Sequence, residues 1–430
     1  MGNLMNRVSF LRRLLGGRED AIDRRTRHLV DLCEALLAER AEFAGAALAR
    51  DALDAYRRLD EHCREEFFDV LARGYSPSPE VVGRAADAYR ADPTPENLLV
   101  LEEAIEPPRQ ELFRRLNMAP GGTAALVGMR GTLLKELAEH AEWRVIDADL
   151  LHLLRSWFNR GFLRLERIDW RTSALVLEKL IQYEAVHAVQ GWRDLRRRLE
   201  ADRRCFAFFH PQLPDEPIIF IEVALTQGMS SRVQPLLDVQ AAVADPRNAD
   251  CAVFYSITNC QEGLRGISFG NLLIKQVAQE LQREFPHLRR FATLSPVPGF
   301  RRWLAGEAQL AGDEKAALAR LEEPGWHLGE VPAALEKLLL SLCARYLLRE
   351  KQGAEPRDAV ARFHLANGAV LERLNWLGDT SEQGMTRSAG LMVNYVYRLS
   401  EVERNHERYF REHAVVASSQ VEKLAREGAA

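Results

Sequence analysis

A serine, a histidine and a set of glycines are the residues through which this chain could do chemistry. Ser295 opens the corner Ser295-Pro296-Val297-Pro298-Gly299. The two prolines fix the backbone there and can hold a hydroxyl in one direction, although a serine before proline is also an ordinary turn residue. Upstream, Gly263, Gly266 and Gly270 precede a helix whose apolar face is Leu272, Leu273, Val277 and Leu281. A glycine-rich turn that opens a helix exposes unpaired N–H groups at the positive end of the helix dipole, which is a place for phosphate oxygens. The spacing is neither GxxxxGK[ST] nor GxGxxG, and three glycines also serve a plain tight turn. His364 lies between Phe363 and Leu365, a setting that suits a packed ring as well as a functional one. Asn259 and Gln261, just before the glycines, could reach a polar ligand or shape the turn.

These residues must be positioned by elements that the hydrophobic pattern lays out. The stretch from Phe254 to Phe300 reads as strand, glycine turn, amphipathic helix, strand and corner. Further strands are expected over Cys205 to Phe209, Ile218 to Thr226 and Cys251 to Ile257, the first two joined as a hairpin through His210 to Asp215. A helix is expected from Gly270 to Phe285 and a strand from Arg290 to Leu294. Helices follow over Val331 to Leu348, Asn367 to Leu374 and Glu401 to Arg426, with a strand-like LMVNYVY between the last two. From Asp20 to Trp157 the pattern is helix after helix. Leu29, Leu32, Leu36 and Leu37 share a face, and breaks fall at Asp92 to Glu96, Pro107-Pro108 and Pro120 to Gly122. SALVLEKLIQYEAVHAVQGWRDLRRRL continues as helix. The fold class is therefore α+β, an all-α N-terminal domain followed by an α/β domain, with the boundary near residue 160.

Composition narrows the function. A length of 430 residues allows two domains, and 47% hydrophobic with 28% charged residues is ordinary for a globular chain. A net charge of -4, with arginines scattered opposite glutamates, gives no footprint for nucleic acid. No apolar run approaches the roughly 18 residues of a membrane span. The six cysteines are far apart with no CxxC, which argues for reduced thiols in a cytoplasmic setting and against a metal site. Arg7, Arg12, Arg13 and Arg18 precede the first acid, Glu19, in a pattern that fits an amphipathic helix or a presequence; the helix is expected. Gly2 is not followed by Ser or Thr at position 6, so no myristoylation is expected.

RGISFGNLLI from Arg265 resembles the RGxGxGxxLL pyrophosphate loop of the GCN5-related acetyltransferase fold, which binds coenzyme A. Arg265, Gly266, Gly270 and Leu273 match, while Ser268 replaces the usual glycine. In HLANGAVLERLNW, Asn367, Ala369 and Leu371 resemble that fold's N-x-x-A-x-x-L helix. Three longer phrases, HPQLPDEPIIFIEVALTQGMSSRVQPLL, FPHLRRFATLSPVPGFRRWL and FHLANGAVLERLNWLGDTSEQGMTRSAGLMVNYVY, resemble the malonyl-CoA decarboxylase family in its short bacterial form. SWFNRGFLRLERIDW and the helical N-terminal region fit it as well. The resemblance implies a helical oligomerisation domain over residues 1–160 and a GCN5-like catalytic domain with a mixed sheet over 161–430. It also implies a homo-oligomer that converts malonyl-CoA to acetyl-CoA and CO2 with no metal or organic cofactor.

By the same resemblance Ser295 and His364 are catalytic. Arg265, Gly266, Ile267, Ser268, Phe269, Gly270 and Asn271, with Gln261, Asn367 and Tyr395, contact the coenzyme A ester. An acidic residue of relatives corresponds to Ser268, so its role is not carried over. Loss of CO2 from a 3-oxo thioester leaves an electron pair that the thioester carbonyl itself accepts, so a hydroxyl and an imidazole suffice. His364 is expected to donate to C2 because an imidazole with a pKa of about 6.5 titrates near neutrality. His210 and His287 are expected to be structural, and Arg301 and Arg302 to be solvated. Met229 to Arg232 is expected to rim the site. The rival reading is an acyl-CoA-dependent N-acyltransferase on the same fold.

Overall fold

The computed structural model describes residues 22–427 apart from 159, 268–272, 307, 309 and 311. The chain forms two compact units: Met1–Leu163 with His210–Pro214 and Gln261–Ser268, and the remainder, Arg164–Phe209, Asp215–Cys260 and Phe269–Ala430.

The first unit is helical: α1 Arg24–Ala38, α2 Glu42–Arg57, α3 Glu61–Gly74, α4 Pro79–Ala91, α5 Pro95–Ile105, α6 Pro108–Asn117, α7 Gly122–Glu136 and α8 Arg144–Trp157. Its punctuation is legible residue by residue. Ser78 and Thr94 accept the third amide of α4 and α5, and Pro79, Pro95 and Pro108 occupy first helical positions where no N–H is needed. Leu29 and Leu36 are buried in the core with Phe67, Phe113 and Trp143, and Leu32 and Leu37 pack half-buried against it. That is the stripe expected from their spacing.

The second unit is built on a mixed sheet of β1 Arg164–Ile168, β2 Arg203–Phe209, β3 Ile219–Thr226, β4 Cys251–Asn259, β5 Arg290–Thr293, β6 Ser295–Pro296, β9 Val370–Asn375 and β10 Met392–Val396. Two short strands, β7 Lys351–Gln352 and β8 Glu355–Pro356, pair with each other. The sheet order is β1-β2-β3-β4-β5-β10-β6, with β9 also on β10. Among the described strands every pairing is antiparallel except β4 with β5, which runs parallel from Cys251↔Arg290 to Phe254↔Thr293. A parallel pair needs a crossover, and the amphipathic helix Leu273–Glu284 supplies it, burying Ile274, Val277, Ala278 and Leu281. The register stops at Phe254 while β4 runs on to Asn259, so the two strands part company there. Ser295 then joins β10 instead, opposite Val393.

The structure corrects four readings of the sequence. Asn367 to Leu374 is not a helix. The helix there is Ala359–Ala366, Asn367 caps it, and Val370–Asn375 is β9. Gly368 is the cause: it sits at φ 80, and a Cβ on it would lie 2.1 Å from the Val402 carbonyl oxygen. The helix expected over Glu401 to Arg426 is two, Val402–Glu412 and Ser419–Glu427, divided at His413 in the left-handed region. Between them Val416 accepts from the Leu371 amide, extending the pairing around β9. SALVLEKLIQYEAVHAVQGWRDLRRRL also splits, into Ala174–Tyr183 and Trp192–Arg198, because the Glu184 carboxylate takes the amides of Val186 and His187. Finally, RLERI forms β1 against β2, where no strand was expected.

Candidate active site

Ser295 lies in β6, and the two-residue alternation of extended chain puts its side chain on the same face as that of Thr293. His364 lies in the last turn of the helix Ala359–Ala366, whose N-terminus is capped by the Asp358 carboxylate through the amides of Val360 and Ala361. The helix brings the imidazole to the serine: Nε2 is 2.9 Å from Ser295 Oγ. Ser295 Oγ donates to Thr293 Oγ1 at 2.9 Å, and the Tyr395 amide donates to the same oxygen at 3.2 Å. On the far side of the ring, Nδ1 is 2.8 Å from the Tyr397 hydroxyl. The Tyr395 ring stacks on the imidazole with centroids 4.6 Å apart. All five of these side chains are buried, Ser295 and His364 at 6% and 3% exposure.

Burial decides the charge of the imidazole. Desolvation by burial pushes the His364 pKa down to about 3. The ring is therefore neutral at pH 7, contrary to the expectation that it would titrate near neutrality. It is a hydrogen-bonding imidazole and not a standing imidazolium. The hydroxyls of Tyr395 and Tyr397 are held well above the ordinary phenol value by the same desolvation, so both are uncharged.

Of the other sequence-predicted residues, Tyr395 joins the pair directly. Asn367 is close along the chain, capping the helix of His364 with its Nδ2 on the Phe363 carbonyl; its Oδ1 is buried without a partner. Met229 and Ser230 present carbonyls to Arg373, and Ser230 also accepts from Asn394, whose amide nitrogen holds the Thr293 carbonyl at 2.7 Å. The loop is thus tied to the strand that carries Thr293.

Gln261, Arg265, Gly266 and Ile267 belong to the first unit, whereas Ser295 and His364 belong to the second. Ser268, Phe269, Gly270 and Asn271 lie outside the described residues. Within the described part of the turn, the amides of Leu264, Arg265 and Ile267 already donate to carbonyls of the turn itself. Arg130 binds the carbonyls of Gly263 and Arg265 at 2.7 and 2.8 Å, and the Arg265 guanidinium pairs with Glu262. The free amides expected there do not include those three. His210 is buried and accepts from the Gln212 amide, His287 bonds the Pro246 carbonyl, and Arg301 pairs with Glu322.

Sequence reasoning missed Thr293, Tyr397 and Asp358. A signal existed for the first two: Thr293 and Ser295, like Tyr395 and Tyr397, are two residues apart in extended chain and share a face. Among the described residues no cluster of three His, Cys, Asp or Glu side chains could hold a metal ion, and no helix is long and apolar enough to cross a membrane.

Fold and site define a class: an α+β enzyme in which a buried, neutral hydroxyl–imidazole pair sits where a mixed sheet changes partner strands. Comparison with known proteins gives the family. The malonyl-CoA decarboxylase C-terminal domain model matches residues 161–430 and the N-terminal domain model matches residues 75–158. The mitochondrial malonyl-CoA decarboxylase of Rattus norvegicus is 38% identical over 352 residues, covering 75% of this chain and 72% of the relative. The crystal structure of malonyl-CoA decarboxylase from Rhodopseudomonas palustris superposes with a TM-score of 0.90 at 49% identity, over 93% of this chain and 99% of that one. The one from Agrobacterium vitis gives 0.87 at 47%, over the same shares. The chain belongs to the malonyl-CoA decarboxylase family.

Proposed function

We propose that this chain is a carboxy-lyase that converts malonyl-CoA to acetyl-CoA and CO2, with Ser295 and His364 as its catalytic pair. The observation that carries the assignment of residues is the 2.9 Å contact between Ser295 Oγ and His364 Nε2, made by segments 69 positions apart and buried together. In the reaction the bond between C2 and the malonyl carboxylate breaks, CO2 departs, and the electron pair passes into the thioester as an enolate. The Ser295 hydroxyl turns from Thr293 to the substrate and, with the imidazole N–H, stabilises the oxyanion and supplies the proton that C2 takes up. The thioester is its own electron sink, so no step calls on a metal or an organic cofactor.

The nucleotide tail is assigned to the Arg265 to Asn271 segment on the family resemblance, and a second copy of the chain is the partner that resemblance implies. Incubation with malonyl-CoA alone tests the activity. CO2 release without an acceptor supports the lyase, and turnover that waits for an added amine replaces it with acyl transfer. Ser295→Ala and His364→Ala should each lower turnover by about 100- to 1000-fold with the fold intact. Turnover at the parental rate in either variant removes that residue from the mechanism.

A further inference from the structure

We propose that Tyr397 acts through His364, setting the direction of the hydrogen-bond chain and passing a proton to Nδ1 as the imidazole gives up the proton on Nε2. The inference rests on the Ser295–His364 reading and extends it by one residue.

The protons along this row of side chains can be counted. Ser295 has one, and it goes to Thr293 Oγ1. The contact between Ser295 Oγ and His364 Nε2 must then be filled by a proton on Nε2. A neutral imidazole carries one N–H, which leaves Nδ1 as an acceptor facing the Tyr397 hydroxyl at 2.8 Å. A phenol is the donor such a nitrogen needs. The chain therefore runs one way, from Tyr397 to His364 to Ser295 to Thr293. This is opposite in sense to a triad in which a carboxylate accepts the Nδ1–H hydrogen bond and leaves Nε2 free to deprotonate serine. Here the serine is kept protonated, which suits a donor to an enolate and disfavours an acyl-serine.

The same geometry completes the proton balance. When C2 takes the Ser295 proton, Ser295 takes the proton of Nε2. The ring stays neutral only if Nδ1 receives a proton in the same event, and Tyr397 is the group placed to give it. An enolate is a stronger base than a phenolate, so the overall transfer runs downhill. Once acetyl-CoA has left, a proton from solvent enters at Ser295, Ser295 returns its own proton to Nε2, and Nδ1 returns its proton to the Tyr397 oxygen, which restores the starting state.

Tyr397→Phe keeps the ring and removes only the hydroxyl. With malonyl-CoA the expected result is a fall in kcat of about 100-fold, with KM within twofold of the parent and an unchanged melting temperature. A kcat within twofold of the parent overturns the proposal, as does a loss that appears in KM and stability instead of kcat. A second variant carries 3-fluorotyrosine at position 397, which alters phenol acidity and leaves the geometry in place. Its kcat should change if a proton moves from Tyr397, and an unchanged kcat refutes the transfer. Ser295→Ala and His364→Ala, measured alongside, separate the two levels. If they collapse and Tyr397→Phe does not, only the tyrosine's role falls; if they too retain activity, the pair itself is wrong.

Discussion

Replacing His364 with glutamine should flatten the acid side of the stability curve. The native imidazole has its pKa pushed to about 3 by burial, whereas in the unfolded chain it returns to about 6.5. The unfolded state therefore binds the proton more readily, and stability present above pH 6.5 is lost as pH falls towards 3. At pH 7 the contribution is fully in place. At pH 5 the unfolded imidazole is almost wholly protonated and the native one is not, a difference of about 2 kcal/mol. Glutamine cannot titrate, yet it can still donate at one end and accept at the other. Other shifted groups, such as buried His187 (lowered) and Glu222 (raised to about 7), are present in both proteins and cancel in the comparison. The assay is urea unfolding of parent and His364→Gln at pH 7 and pH 5, following the unit that contains the sheet. The parent should lose about 2 kcal/mol more than the variant between the two pH values. Equal losses would mean that His364 is not held neutral by burial, and the account of its role as an uncharged donor would fall with it.

Two further substitutions test the scaffold. Gly368→Ala places a side chain at φ 80, against the Val402 carbonyl, and should destabilise by about 1–3 kcal/mol while shifting the end of the helix that holds His364. Melting and turnover should fall together, and an unchanged melting temperature would contradict the cause given for the helix stop. Arg198→Ala removes a buried guanidinium that binds Asp194 at 2.9 Å and Glu222 at 2.8 Å, leaving two carboxylates without their cation. Denaturant unfolding should show a loss of about 3–5 kcal/mol; a loss under about 1 kcal/mol would mean that water or a rearrangement satisfies the carboxylates.

Local chemistry was readable wherever a residue's effect is confined to its own turn. The Ser-Pro and Thr-Pro starts of α4 and α5, the leucine stripe of α1, and strands β2 to β5 all follow from propensity and period. The long phrases around Ser295 and His364 carried the family by likeness of wording. Packing overruled period in other places. VLERLN reads equally as helix or strand, and its fate was decided by β10 alongside it and by the close approach of Val402 at Gly368. Glu184 ended a helix because its carboxylate found amides two and three residues on.

The sequence by itself determined which side chains were available, a hydroxyl after a strand and an imidazole in an apolar helix, because residue type and local spacing are written in it. Only the tertiary structure decided what they are. Contact across 69 residues made them a pair, Thr293 and Tyr397 were set at its two ends, and burial stripped the imidazole of its charge. A pKa and a hydrogen-bond direction depend on everything packed around a group, and that surrounding is assembled from distant parts of the chain.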